Sequence, residues 1–191
     1  MLPDHTDRSE NWVRSQSFHG RQVNTLSGYK WHNMNVRCTP GSIVQQKHPT
    51  YIGCVNNFRS FNDFVEWHRA QIGYGEFELD KDCLVKGNKI YSAETCILLP
   101  RSLNGALTLR HGYDLPKGVH SRGGTFQARC RDALGKPKCL GTYETAEEAT
   151  SVYWKFKAQV VMDLAEIYRD RIDPRAYEAL KSRHKEEACF L

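Results

Sequence analysis

The chain has no Cys-x-x-Cys pair, and its seven cysteines, at positions 38, 54, 83, 96, 130, 139 and 189, form an odd, scattered set. That spacing excludes a regular zinc finger and does not suit a disulfide framework, so reduced thiols are expected. Long apolar runs are also missing. No stretch approaches the roughly 18 apolar residues of a membrane span. No apolar segment follows a basic start, so no secretory leader and no membrane partner are expected, and a cytoplasmic protein is. What is there is ordinary for a folded chain: 191 residues, 40% hydrophobic and 26% charged, enough for one domain or two small ones. The formal charge is +5. Its distribution says more than its size. Between Arg101 and Lys157 there are ten lysines and arginines against five aspartates and glutamates, an excess of five that equals the whole chain's. A basic surface gathered in one segment suits a polyanionic partner.

Residues 1–28 are polar and aperiodic and read as an N-terminal arm that Trp12, Val13 and Phe18 could anchor. Thr39-Pro40-Gly41 is a turn signal. From Asn57 to Ile72, Phe58, Phe61, Phe64, Val65, His68 and Ile72 recur at steps of three and four, which predicts a helix ended by Gly73 and Gly75. Phe77 and Leu79 alternate with charges as in a strand. Cys83–Val85 and Ile90–Ser92 flank the turn-like Lys86-Gly87-Asn88-Lys89, which predicts a hairpin, and Pro100 suits the first turn of a helix carrying Leu103, Asn104 and Leu107.

The segment Leu79-Asp80-Lys81-Asp82, Gly87-Asn88-Lys89, Tyr91-Ser92, Thr95-Cys96 and Asn104 resembles the ββα-metal motif of the His-Asn-His endonucleases. Fourteen residues separate Lys81 from Thr95, and nine separate Thr95 from Asn104. Together with Trp31, Arg37-Cys38, Pro49-Thr50-Tyr51, Phe61 and Trp67, the same run is similar to a recurring bacteriophage protein type described as an endonuclease of this class. The resemblance implies a hairpin and helix around one divalent cation, Mg²⁺ or Mn²⁺, with Asp80 and Asn104 as metal ligands. Lys81 stands where the family has its general-base histidine, and Thr95 falls near the central asparagine. These are departures. A lysine is protonated at neutral pH unless its surroundings lower its pKa, and two aspartates beside it act the other way. Lys81 is then a candidate phosphate contact, and Asp82 an alternative base or second ligand. The histidines at 48, 68, 111 and 120 are further candidates for a base supplied through space.

Downstream, Phe126, Ala128 and Cys130 alternate with Gln127, Arg129 and Arg131, a half-buried strand with one polar face. Gly135 and Pro137 mark a turn, residues 138–143 a further strand, and Thr145-Ala-Glu-Glu148 a capping box for a helix to about Ile167. Asp173-Pro174 opens a last helix, with a ragged end expected from Lys181. Gly118-Val119, Gly124, Phe126, Ala128, Leu140-Gly141, Tyr143, Thr145, Glu147-Glu148-Ala149 and Tyr153 resemble the APETALA/ethylene-response-factor DNA-binding domain. That family lays a three-stranded sheet in the major groove with a helix behind it. By strand alternation Gln127, Arg129 and Arg131 face outward, with Arg122 and Lys138 extending the basic face. Arginine forks suit guanine edges or phosphates, and glutamine suits adenine.

The expected chain is α+β: an arm at 1–28, a small degenerate ββα-metal (His-Me finger-like) domain at 29–110, a basic three-stranded antiparallel sheet packed on a long helix at 111–170, and a C-terminal helix and tail at 171–191. The expected function is that of a phage-type protein acting on double-stranded DNA, either a metal-dependent endonuclease or nickase, or an inactive DNA-binding or host-protein-binding factor on the same scaffold.

Overall fold

The computed structural model describes residues 15–18, 21–107, 115 and 118–189. They form a mixed helix-and-sheet protein in two compact units divided between Leu99 and Pro100.

The first unit opens with a hairpin, β1 (Ser15–Phe18) and β2 (Arg21–Asn24), so the segment expected as an arm carries ordered strands; Trp12 and Val13 lie outside the described residues. Helix α1 (Leu26–Cys38) follows directly, with the Thr25 hydroxyl capping it by accepting from the Gly28 amide at 3.0 Å. Only Ser27, Gly28 and Met34 of this helix are buried, so it has no apolar stripe for a sequence pattern to reveal. Helix α2 (Ile43–Lys47), a 3-10 turn (Pro49–Tyr51) and β3 (Val55–Asn56) lead to α3 (Phe61–Arg69). Helix α3 is shorter than the run 57–72 because Ser60 caps it. Phe58 lies before the cap but packs on Phe64 and Trp67, ring centres 5.1 and 5.2 Å away, which explains its place in the apolar repeat.

The expected hairpin of 83–85 with 90–92 does not form. Strand β4 (Glu78–Asp80) pairs antiparallel with β6 (Ile97–Leu99), and β5 (Ile90–Tyr91) pairs in parallel with β3. Three side chains account for the change. Asp80 Oδ1 accepts from the amides of Asp82 (2.9 Å) and Cys83 (2.6 Å), turning the chain out of the strand. The Asn88 amide group both accepts from Ile90 N–H and donates to Ile90 C=O, while Thr95 Oγ1 donates to the same carbonyl. The ladder positions that Cys83–Val85 would use are therefore occupied by side chains.

The second unit contains α4 (Arg101–Leu107), strands β7 (Val119–Arg122), β8 (Thr125–Arg131) and β9 (Pro137–Tyr143), helix α5 (Ala146–Ile167), a 3-10 turn (Arg169–Arg171) and α6 (Pro174–Cys189). The strands form one antiparallel sheet in the order β7-β8-β9. Helix α5 starts at the expected capping box, Thr145 and Glu148 each satisfying the other's backbone amide. Val119, Ala128, Ala149 and Tyr153 form the core between sheet and helix, joined by Phe126, Cys130, Leu140, Tyr143 and Trp154. Helix α5 also packs on α4 and α6. The last helix continues past Lys181 to Cys189, where a ragged end was expected. Among the described residues, no helix is long and apolar enough to cross a membrane.

Candidate nucleic-acid interface

Directly opposed residues of an antiparallel pair share a face. Val119 opposes Ala128, and both lie in the core, which fixes that face as the helix side. His120 opposes Gln127, Gln127 opposes Thr142, Arg122 opposes Thr125, and Arg129 opposes Cys139. These residues therefore share the open face with Arg131. Arg122, Arg129 and Arg131 are exposed and Gln127 is half-buried. Among the described residues no strand position of this face carries a carboxylate. Arg131 Nη1 donates to the Gly135 carbonyl at 2.7 Å, which steadies its guanidinium.

Lys138 lies elsewhere. It opposes Cys130, a helix-side residue, and its ammonium is 3.9 Å from an Asp132 carboxylate oxygen. The reason is an irregularity between Ala128 and Arg129, where Ala128 opposes Gly141 and Arg129 opposes Cys139, leaving Leu140 as an extra residue. One extra residue reverses the alternation of everything beyond it. The structure thus brings Arg122, Gln127, Arg129 and Arg131 together and separates Lys138 from them. It also adds His120 and Thr142, which alternation within Val119-His-Ser-Arg and around Tyr143 could have suggested.

Gly118 sets the end of this sheet against the helix. Its φ is +93°, its carbonyl accepts from the Arg129 amide at 2.7 Å, and a Cβ there would fall 2.3 Å from the Tyr153 ring. The position requires glycine for both backbone and space.

The second candidate site, in the first unit, is built differently. Lys81 is buried, 5% exposed. Its Nζ donates to Asp82 Oδ1 (2.7 Å), Asp82 Oδ2 (2.8 Å) and the Asn88 carbonyl (2.5 Å), and lies 5.9 Å from the centre of the Tyr91 ring. Tyr91 is itself buried, and burial raises its hydroxyl pKa against the lowering effect of the Arg37 guanidinium bonded to it. Asp80 is partly buried at the end of β4; burial pushes its carboxyl above the ordinary range, opposed by the Cys83 amide. Thr95 Oγ1 holds the Ile90 carbonyl and meets Ser92 Oγ at 3.1 Å. Asn104 is on α4 in the second unit, and Asp80 is on β4 in the first.

A Mg²⁺ or Mn²⁺ ion would have to compete with partners that these groups already hold. Such an ion takes carboxylate and amide oxygens that are open to it. One Asp80 oxygen takes two backbone amides, and both Asp82 oxygens take the Lys81 ammonium. Among the described residues no three histidine, cysteine, aspartate or glutamate side chains gather to hold a metal ion. Two nearby cysteines are held as thiols: burial pushes Cys38 up to about 11 and Cys96 to about 12.

Compared with protein-family models, with curated proteins and with solved structures, the chain matches none.

Proposed function

We propose that the chain binds double-stranded DNA through the open face of β7–β9. The observation that carries this reading is the convergence of Arg122, Arg129 and Arg131 with Gln127 on one exposed sheet face without a strand carboxylate. Adjacent strands lie about 4.8 Å apart, so the outer two are separated by roughly 10 Å. That width enters a major groove about 12 Å across. Guanidinium forks meet phosphates and guanine edges there, and the Gln127 amide suits adenine. Most such contacts position the protein on the backbone, and the remainder read sequence.

The test is retardation of a DNA duplex at several salt concentrations. Wild-type binding is expected to weaken steeply with salt. Each of Arg129→Ala and Arg131→Ala is expected to weaken it about tenfold and to lower the salt slope by about 1 where a phosphate contact is lost. Lys138→Ala removes the same charge from the other face and is expected to change little. Equal losses at Lys138 and Arg129 would sink the reading, because binding would then follow total charge rather than this face.

A second reading, hydrolysis of DNA phosphodiesters, is supported by chain order. Strands β4 and β6 pair antiparallel and are followed by α4, a strand–strand–helix order with Asp80 on the first strand and Asn104 on the helix. Nicking of supercoiled plasmid that needs Mg²⁺ or Mn²⁺ and vanishes in Asp80→Ala would support it.

A further inference from the structure

We propose that Lys81 is a tethered cation: its ammonium fills the cation position of the Asp80–Asn88 loop, so that the loop keeps its shape without a metal ion. Three oxygens, two from Asp82 and one from Asn88, surround Nζ at 2.5 to 2.8 Å. An ammonium has three N–H donors, and each finds one of these acceptors. The side chain is 6% exposed, so the charge is held inside the loop rather than laid along its surface.

The backbone returns the contact. Asn88 Nδ2 donates to the Lys81 carbonyl at 2.8 Å while the Lys81 ammonium donates to the Asn88 carbonyl, which ties the two ends of the loop twice. The Tyr91 ring closes one side of the charge. An arrangement of carboxylate and carbonyl oxygens about a central positive charge is the chemistry of a hard-cation site. A lysine in its centre supplies the charge covalently and repels a second cation. Lys81 is a positioning residue, and the loop it holds sets the start of β5. This inference concerns the first unit alone and does not depend on DNA binding by the sheet.

The test is thermal unfolding of the full chain, in chelator and in millimolar Mg²⁺, Mn²⁺ or Ca²⁺ at matched ionic strength, with DNA retardation measured on the same proteins. The wild-type midpoint is expected to be the same in all four solutions. Lys81→Met, which keeps the stem and removes the charge, is expected to lower it by roughly 5 °C or more. The double variant Lys81→Met/Asp82→Asn is expected to lose less than the two single losses combined, because neither partner is left as an uncompensated charge. Should Lys81→Met fail to fold, Asp82→Asn alone reads the pair, and its midpoint is expected to fall. An unchanged midpoint in either single variant overturns the proposal. So does a wild-type rise of several degrees on adding a divalent cation that Asp80→Asn abolishes. Retained DNA retardation in a protein whose midpoint behaves in those ways would show that the tethered-cation proposal fails while the DNA reading stands.

Discussion

The two units handle polar groups in opposite ways. Among the described residues, the six buried polar or charged ones are Thr25, Ser27, Gln45, His68, Lys81 and Ser92, all in the first unit. The second unit buries apolar side chains and turns its arginines outward. Strand length explains the contrast. Strands β3 to β6 are two or three residues long and pair with distant partners, so their ladders satisfy few backbone groups. Side chains take over: Gln45 Nε2 joins the carbonyls of Arg37 and Tyr51, Asn88 caps Ile90, and Lys81 joins Asp82 to Asn88. Strands β8 and β9 are seven residues each and pair along their length, so their side chains are free to form a core on one face and a charged surface on the other. A unit knit by buried polar clamps is sensitive to single polar changes. One knit by a ladder is sensitive to changes in close packing.

That contrast is sharpest at two glycines. Gly118→Ala is expected to destabilise the second unit by about 3 kcal/mol or more, since a side chain at positive φ and an overpacked contact each cost about 1–3 kcal/mol. The new methyl would meet the Tyr153 ring and, at 2.4 Å, the Arg129 carbonyl oxygen. Gly87 in the first unit also has positive φ, +75°, but a Cβ there has nothing within 4 Å. Gly87→Ala is therefore expected to show only the backbone part, about 1 kcal/mol. Urea midpoints of both variants check the comparison, and equal losses would break it.

A smaller effect is expected at the helix cap of the second unit. Thr145→Ala removes the acceptor for the Glu148 amide and one half of the capping box, and is expected to lower stability by about 1 kcal/mol. Thr145→Ser keeps the acceptor and is expected to restore most of it. A Ser variant as unstable as the Ala variant would place the loss in packing rather than in the cap.

The same contrast governs how much could be read in advance. The second unit was legible because local signals agreed: the alternation of Phe126, Ala128 and Cys130, the turn at Gly135, and the capping box each point to the element that forms. Its basic face was legible for Arg122, Gln127, Arg129 and Arg131. Lys138 was misplaced because one bulge at Leu140 reverses the alternation; the residue in that run that could have announced it is Gly141, at φ +132°. The first unit was read less well. Helix α1 has no apolar stripe, and the apparent hairpin around Lys86–Lys89 is overridden by Asp80, Asn88 and Thr95, whose side chains bond backbone groups two to five residues away, contacts that strand alternation does not register. The partners of Asp80 and Lys81 were the least legible, since residue types alone do not show that Asp80 takes the amides of Asp82 and Cys83 or that Lys81 bonds Asp82 and Asn88.

The smallest expected effect is in acid, and there the units are expected to answer in opposite directions. In the second unit, Asp173 accepts from the Arg175 amide, Nε and Nη2, and these hydrogen bonds hold its carboxyl below the ordinary value of 3.8. A depressed folded pKa gives stability that is complete above the unfolded pKa and is lost as pH falls through the folded one. Asp173→Asn is therefore expected to be less stable than wild type near neutrality, with the gap closing in strong acid. In the first unit, burial raises the Asp80 carboxyl above 3.8, so its ionised form is disfavoured by folding. The penalty is complete above the folded pKa and disappears as pH falls through that value to the unfolded one. Asp80→Asn keeps an oxygen for the amides of Asp82 and Cys83 and removes the charge. It is expected to match or exceed wild type at neutral pH, with its advantage shrinking as acid protonates the aspartate. Urea midpoints of the two variants relative to wild type, followed from neutrality into acid, check both signs. If Asp80→Asn is instead destabilised at neutral pH and recovers in acid as Asp173→Asn does, the Asp80 carboxylate is stabilised in the fold rather than penalised, and the inward-facing charge of the first unit is as well compensated as the outward charge of the second.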